Sequence, residues 1–223
     1  MWRADILEEI ERWARSTFEA KNAAREQALS HSRELTRTCA NTIRAVHRRD
    51  FEQAQTLLAA ARQLSERLAA DLAPHPDLFY TGYVQDAQKE YVAATYTLAM
   101  LSGSAFPEPQ SLGVAPAAFL NGLAETVGEL RRFALDMLRR GELAGSDAML
   151  QTMDDIYSLL VTIDYPDALT GGLRRTTDLT RGILERTRGD LTFALRQQEL
   201  ENSLTRVEQS IRGALRASEA APE

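Results

Sequence analysis

Cysteine is nearly missing: Cys39 is the only one in 223 residues. No intrachain disulfide can form, which fits a reducing compartment. His31 and His75 have no partners at ligand spacing, so no zinc site is expected. Proline is scarce, with 7 residues, and no stretch rich in Pro, Gly or Ser divides the chain. Residues 1–49 contain neither proline nor glycine. No apolar run approaches the ~18–20 residues of a membrane span. Asp5, Glu8 and Glu9 interrupt the start, which speaks against a signal peptide. The expectation is a cytoplasmic protein with no membrane partner. A glycine-rich phosphate loop and a Ser-His-Asp order are missing too. The net charge of −6 excludes a generally basic nucleic-acid binder, so any polyanion site is a local patch.

What is present is helical periodicity. With 44% hydrophobic residues the chain can bury one sizeable core. Long periodic segments and few alternating β-branched runs predict an all-α, single-domain bundle of about six to seven helices. Met1 to Arg49 reads as one very long helix, or two in line. Asp50 is placed to cap a second helix over Phe51–Leu72. Pro74-His75-Pro76-Asp77 breaks it, and a third follows near Leu78–Leu101. Ser102 to Gly113 is the clearest loop. A fourth helix spans about Pro116 to Arg140, with Pro116 in the first turn and Gly141 at its end. A fifth runs from about Ser146 to Ile163, and a sixth starts near Asp167. The body is assigned to residues 1–197, and residues 198–223 to an amphipathic helix with a disordered end after Ser218. Leu200, Leu204, Val207, Ile211 and Leu215 form that helix's apolar stripe. Docking on the body is the commoner outcome for such a stripe; docking on another subunit is the other.

Two features carry chemistry. Arg33, Arg37, Arg44 and Arg48 fall within about a quarter turn on one side of the first helix. Residues 25–49 hold six arginines and two acids against an acidic background. Guanidinium forks suit phosphate, and no aromatics interleave, so the stripe looks built for backbone contact. The plainer reading is a solvated face or one that pairs acids of a neighbour. His47 lies at the stripe's edge, where a surface histidine is the plain reading. The second feature is the fourth helix. It carries Gly122 and Gly128 in its interior, each costing about 1 kcal/mol against alanine. Such losses call for the close approach of a backbone or a ligand. Glu125, Glu129, Arg132 and Asp136 share one of its faces. Across the chain, Glu90 sits on a mostly apolar side of the third helix, where an acid needs a partner or a metal. Carboxylates from two helices make a hard-oxygen site suited to Mg²⁺ or Mn²⁺.

Several runs together resemble the translin family, in particular its translin-associated factor X (Trax) branch. They are Gln88-Lys89-Glu90-Tyr91-Val92-Ala93-Ala94, Gly122-Leu123-Ala124-Glu125 and Gly128-Glu129-Leu130-Arg131-Arg132. The likeness extends to Ser32-Arg33-Glu34-Leu35, to Ile43 through Arg48, to Asp164-Tyr165-Pro166 and to Gly172-Leu173-Arg174-Arg175. It covers roughly residues 25–195. The resemblance implies a metal-dependent endoribonuclease acting on single-stranded RNA inside a hollow, closed homo-oligomer, a hexamer or octamer. It implies Glu90, Glu125 and Glu129 as catalytic residues. Glu90 and Glu125 would hold Mg²⁺ or Mn²⁺; helix spacing, not the resemblance, puts Asp86 one turn before Glu90 as a ligand that could compensate for Ala93. Arg33, Arg37, Arg44, His47, Arg48 and Arg132 would hold single-stranded RNA or DNA. The sequence departs from the Trax pattern twice. Ala93 stands where the active branch has a second glutamate, and Glu125 where it has an aspartate. The alternative is a non-catalytic single-stranded nucleic-acid binder; a third reading is a helical assembly protein with no nucleic acid.

Overall fold

The computed structural model describes residues 4–142 and 145–219, with side chains to residue 214. Among the described residues there are eight α-helices and no strand. Six are long: α1 Ala4–His47, α2 Phe51–Leu72, α4 Gly82–Ser102, α5 Pro116–Arg139, α6 Ser146–Val161 and α8 Leu173–Glu219. Two are single turns, α3 Pro76–Phe79 and α7 Asp167–Thr170, too short for periodicity to signal. The all-α bundle with a very long first helix is as expected. No helix among the described residues is long and apolar enough to cross a membrane.

Each boundary has a local cause. α1 ends because Arg49 turns left-handed (φ 61°), and the amide of Asp50 donates to the Ala45 carbonyl at 3.0 Å. The Arg49 guanidinium pairs with Glu142 and lies 5.7 Å from the Phe133 ring centre. The Asp50 carboxylate then accepts from the Gln53 amide at 3.2 Å and caps α2. Pro116 opens α5, and a left-handed Gly141 follows its end.

α4 is the axis of the bundle. One side of it packs with α1 and α2 around Leu35, Cys39, Leu68, Leu72 and Tyr91. The other packs on α5, which in turn packs with α6 and α8, around Val92, Leu123, Leu130, Met153 and Leu184. From Tyr91 to Ala99 every residue of α4 is buried. Cys39 is an inert core thiol: burial, then the charge of Glu90, pushes its pKa up.

The tail differs from expectation. α8 continues unbroken through residues 198–219 and does not fold back. Leu200, Leu204, Val207 and Ile211 are 55–60% exposed, so the stripe does not dock on its own body. No proline or glycine between Gly189 and Gly213 interrupts the helix, which leaves no hinge for a return. The Leu215 side chain and the expected disordered end lie outside the described residues.

Candidate nucleic-acid groove and carboxylate site

The α4–α5 crossing sets the site. A Cβ at Gly122 would overlap the Lys89 carbonyl oxygen and come within 2.8 Å of the Val92 Cβ. Only glycine lets the two backbones approach this closely. Gly128 has the opposite surroundings. A Cβ there would meet nothing within 4 Å, because the position opens onto a groove. The groove has a volume of about 740 Å³ and lies between α1, α4, α5 and α8.

Four acids line that groove. α4 contributes Asp86 and Glu90, one turn apart, and α5 contributes Glu125 and Glu129. Their floor is a buried amide: Asn121 Nδ2 donates to the Thr170 carbonyl at 2.9 Å and to that of Ala117 at 2.8 Å. The Thr176 hydroxyl donates to Asn121 Oδ1 at 2.7 Å. These bonds tie α5 to the α7–α8 turn and so bring Arg175 to the groove's edge. Ala93 also lines the groove, where the Trax pattern has its second glutamate.

The acids are unequally satisfied. Lys89 Nζ lies 3.0 Å from Glu125 Oε1 and 3.4 Å from Asp86 Oδ1. Burial disfavours its charge, but the hydrogen bond and charge of Glu125, then Asp86, outweigh it and raise its pKa. Glu129 Oε2 accepts from His47 Nε2 at 2.6 Å, while Arg132 stands off at 3.9 Å. Glu90 makes no hydrogen bond or ion pair among the described residues. Burial and then the charge of Glu125 raise its carboxyl above the ordinary 4.5; Glu129 and Asp86 add to the effect, and Lys89 opposes it.

Between pH 4.5 and its raised native value, Glu90 binds more protons in the native state than unfolded. Stability therefore falls as pH rises through that window. In metal-free buffer Glu90→Gln is expected to melt above the natural chain at neutral pH. Its advantage should vanish below pH 4.5, as calorimetric scans across pH would read.

The arginine stripe lies on the exposed side of α1, and none of its four arginines lines the groove. Ile43 faces into it, and Arg44 follows about 100° around the helix. Arg33, Arg37, Arg44 and Arg48 are exposed, and none forms an ion pair among the described residues. Arg132 is exposed near Glu129. His47 does not belong with them, contrary to the expectation from the sequence. It is 7% exposed, packs near Phe133 and spends its Nε2 on Glu129. A carboxylate only accepts, so Nε2 donates, and the buried Nδ1 is left without a partner among the described residues. Its contribution is to position Glu129.

Sequence reasoning missed Lys89 and Arg175 as groove residues, though both stand inside the runs that carry the family likeness. The Asp86–Lys89 spacing of three was the available signal for one. Arg175 had none.

Among the described residues no three His, Cys, Asp or Glu side chains converge as a cage for an ion. Mg²⁺ does not require one: it is usually held by one or two carboxylates, its own waters and substrate phosphates. An unpartnered Glu90 and a Glu125 on the facing helix supply that donor set, so the residues present fit a hard divalent ion.

No protein-family model matches the chain. An uncharacterised protein of Methanocaldococcus jannaschii is 32% identical over 191 residues, 84% of each chain. The solved AfC3PO–duplex RNA complex is 37% identical and superposes with a TM-score of 0.78, over 83% of this chain and 96% of that one. AfC3PO in another crystal structure gives 36% and 0.77, over 83% and 97%. Apo-NeC3PO, at 18% identity, 0.73, and 83% and 96% coverage, shares the fold.

Proposed function

The chain belongs to the translin/C3PO family as a Trax-like member, and on that premise we propose that it binds single-stranded RNA and cleaves it with a divalent ion. The observation that carries this reading is the opening of Glu90 and Glu125, from separate helices, onto one groove; four exposed arginines without ion pairs on α1 support it. The AfC3PO complex holds duplex RNA, which supports RNA as the ligand class; the single-stranded form is the reading taken from the family resemblance. Glu90 and Glu125 would hold Mg²⁺ or Mn²⁺, with Asp86 and Glu129 lining the same groove. An ion there would supply a Lewis acid and an activated water for phosphodiester hydrolysis.

The remaining groups hold the strand. Arg33, Arg37, Arg44 and Arg48 contact phosphates along α1 by charge-assisted hydrogen bonds. Arg175 and Arg132 flank the acids and counter the repulsion between carboxylates and an approaching phosphate. Gly128 leaves room for the backbone of the strand between Glu125 and Glu129. The uncovered apolar faces of the α8 tail, and of α1 at Leu7, Ile10, Trp13 and Phe18, support work as a closed homo-oligomer.

The test is cleavage of an unstructured labelled RNA with Mg²⁺ or Mn²⁺ against EDTA. Glu90→Gln and Glu125→Gln are each expected to lower the metal-dependent rate by about a hundredfold or more. Cleavage that survives both substitutions overturns the assignment. RNA retention with no metal-dependent cutting would instead make the chain a non-catalytic binder, the reading favoured by Ala93.

A further inference from the structure

We propose that the Lys89 ammonium is a resident counter-cation of the groove, competing with a divalent ion for Glu125 and Asp86. The inference rests on the metal reading above, and it begins from the backbone. Gly122 brings α5 directly against the Lys89 carbonyl, so Lys89 sits at the closest approach of α4 and α5. Glu125 stands one turn beyond Gly122, which places its carboxylate over the Lys89 side chain. The ammonium, 27% exposed, then bridges Glu125 at 3.0 Å and Asp86 at 3.4 Å.

Charge counting gives the bridge its importance. Of the four acids lining the groove, Glu129 already has His47, and Glu90 has no direct partner among the described residues. Lys89 alone links the other two acids, across the α4–α5 boundary. Arg175, on the α8 side, forms no ion pair with any of them among the described residues. A divalent ion brings twice the charge to the same oxygens. The flexible four-carbon stem lets the ammonium leave without disturbing either helix. Metal binding therefore breaks one ion pair as it forms its own contacts. Apparent affinity is lowered by the fraction of molecules in which Lys89 already lies off Glu125.

The experiment measures Mn²⁺ binding to the full chain, without RNA, from the electron paramagnetic resonance of free Mn²⁺. The natural chain is compared with Lys89→Gln, Lys89→Met and the double variant Lys89→Gln/Glu125→Gln, each checked for native helicity and melting. Both single variants are expected to bind about tenfold more tightly, the scale of one charge-assisted hydrogen bond. The double variant is expected to lose that gain. Folded single variants that bind Mn²⁺ no more tightly than the natural chain overturn the competition while leaving the metal reading intact. No binding by any of the proteins at millimolar Mn²⁺ overturns both.

Discussion

Gly122→Ala and Gly128→Ala are expected to change stability in opposite directions, although both place the same methyl group in the same helix. Each gains about 0.5–1 kcal/mol from the lower entropy cost of alanine in a helix. At Gly128 nothing opposes that gain, because no atom lies within 4 Å of the new Cβ. At Gly122 the methyl overlaps the Lys89 carbonyl and meets Val92 at 2.8 Å. A carbonyl in the middle of a helix cannot rotate away, so α5 must move off α4. Overpacking of this kind costs about 1–3 kcal/mol, and backbone contact puts it at the upper end. The net expectation is a loss of about 2 kcal/mol, or a melting point lower by roughly 4–8 °C for a chain of this size. Gly128→Ala should melt about 2 °C higher. Larger residues at 128 extend the comparison. Gly128→Leu fills the groove while leaving the crossing intact, so it should keep its fold and lose RNA binding and cleavage. Equal melting shifts for the two alanine variants would remove the distinction between a packing glycine and a groove glycine.

That distinction was half legible in the sequence. Two glycines inside a periodic helix announce a close approach, but periodicity is blind to whether backbone or open space lies opposite. The pairing of Glu90 with Glu125 was reached through the family resemblance, and both residues line one groove. The helix boundaries at Asp50, Pro116 and Gly141 were readable because caps act within a few residues. His47 was not readable. Its helical angle places it beside the arginines, yet the last turn of α1 is covered by α5, where Glu129 waits 82 residues away. Lys89 failed for a related reason, since its link to Glu125 exists only at the spacing Gly122 permits. The tail's apolar repeat identified a sticky face. It carried no information on what covers that face, because an uninterrupted helix offers the stripe no route back to its own body.

Neutralising Arg33, Arg37, Arg44 and Arg48 together, each to glutamine, is expected to abolish most RNA affinity. None has a carboxylate partner among the described residues, so their charge is available to phosphate. On single strands each neutralised phosphate contributes about 0.7 to the slope of log affinity against log salt. Four lost contacts should flatten that slope by about 3 and weaken binding about a hundredfold or more at low salt. Net charge alone would also weaken binding, and a matched control separates the two effects. Arg15, Arg62, Arg181 and Arg196 are as exposed, but each already pairs with a glutamate, respectively Glu11, Glu66, Glu185 and Glu199. Changing those four to glutamine alters the net charge equally and should leave the slope nearly unchanged. His47→Gln belongs in neither set: its side chain is buried against Glu129, so it should leave the salt slope alone and lower the melting point instead. If the two arginine sets flatten the slope equally, long-range charge governs association, and α1 carries no defined phosphate track.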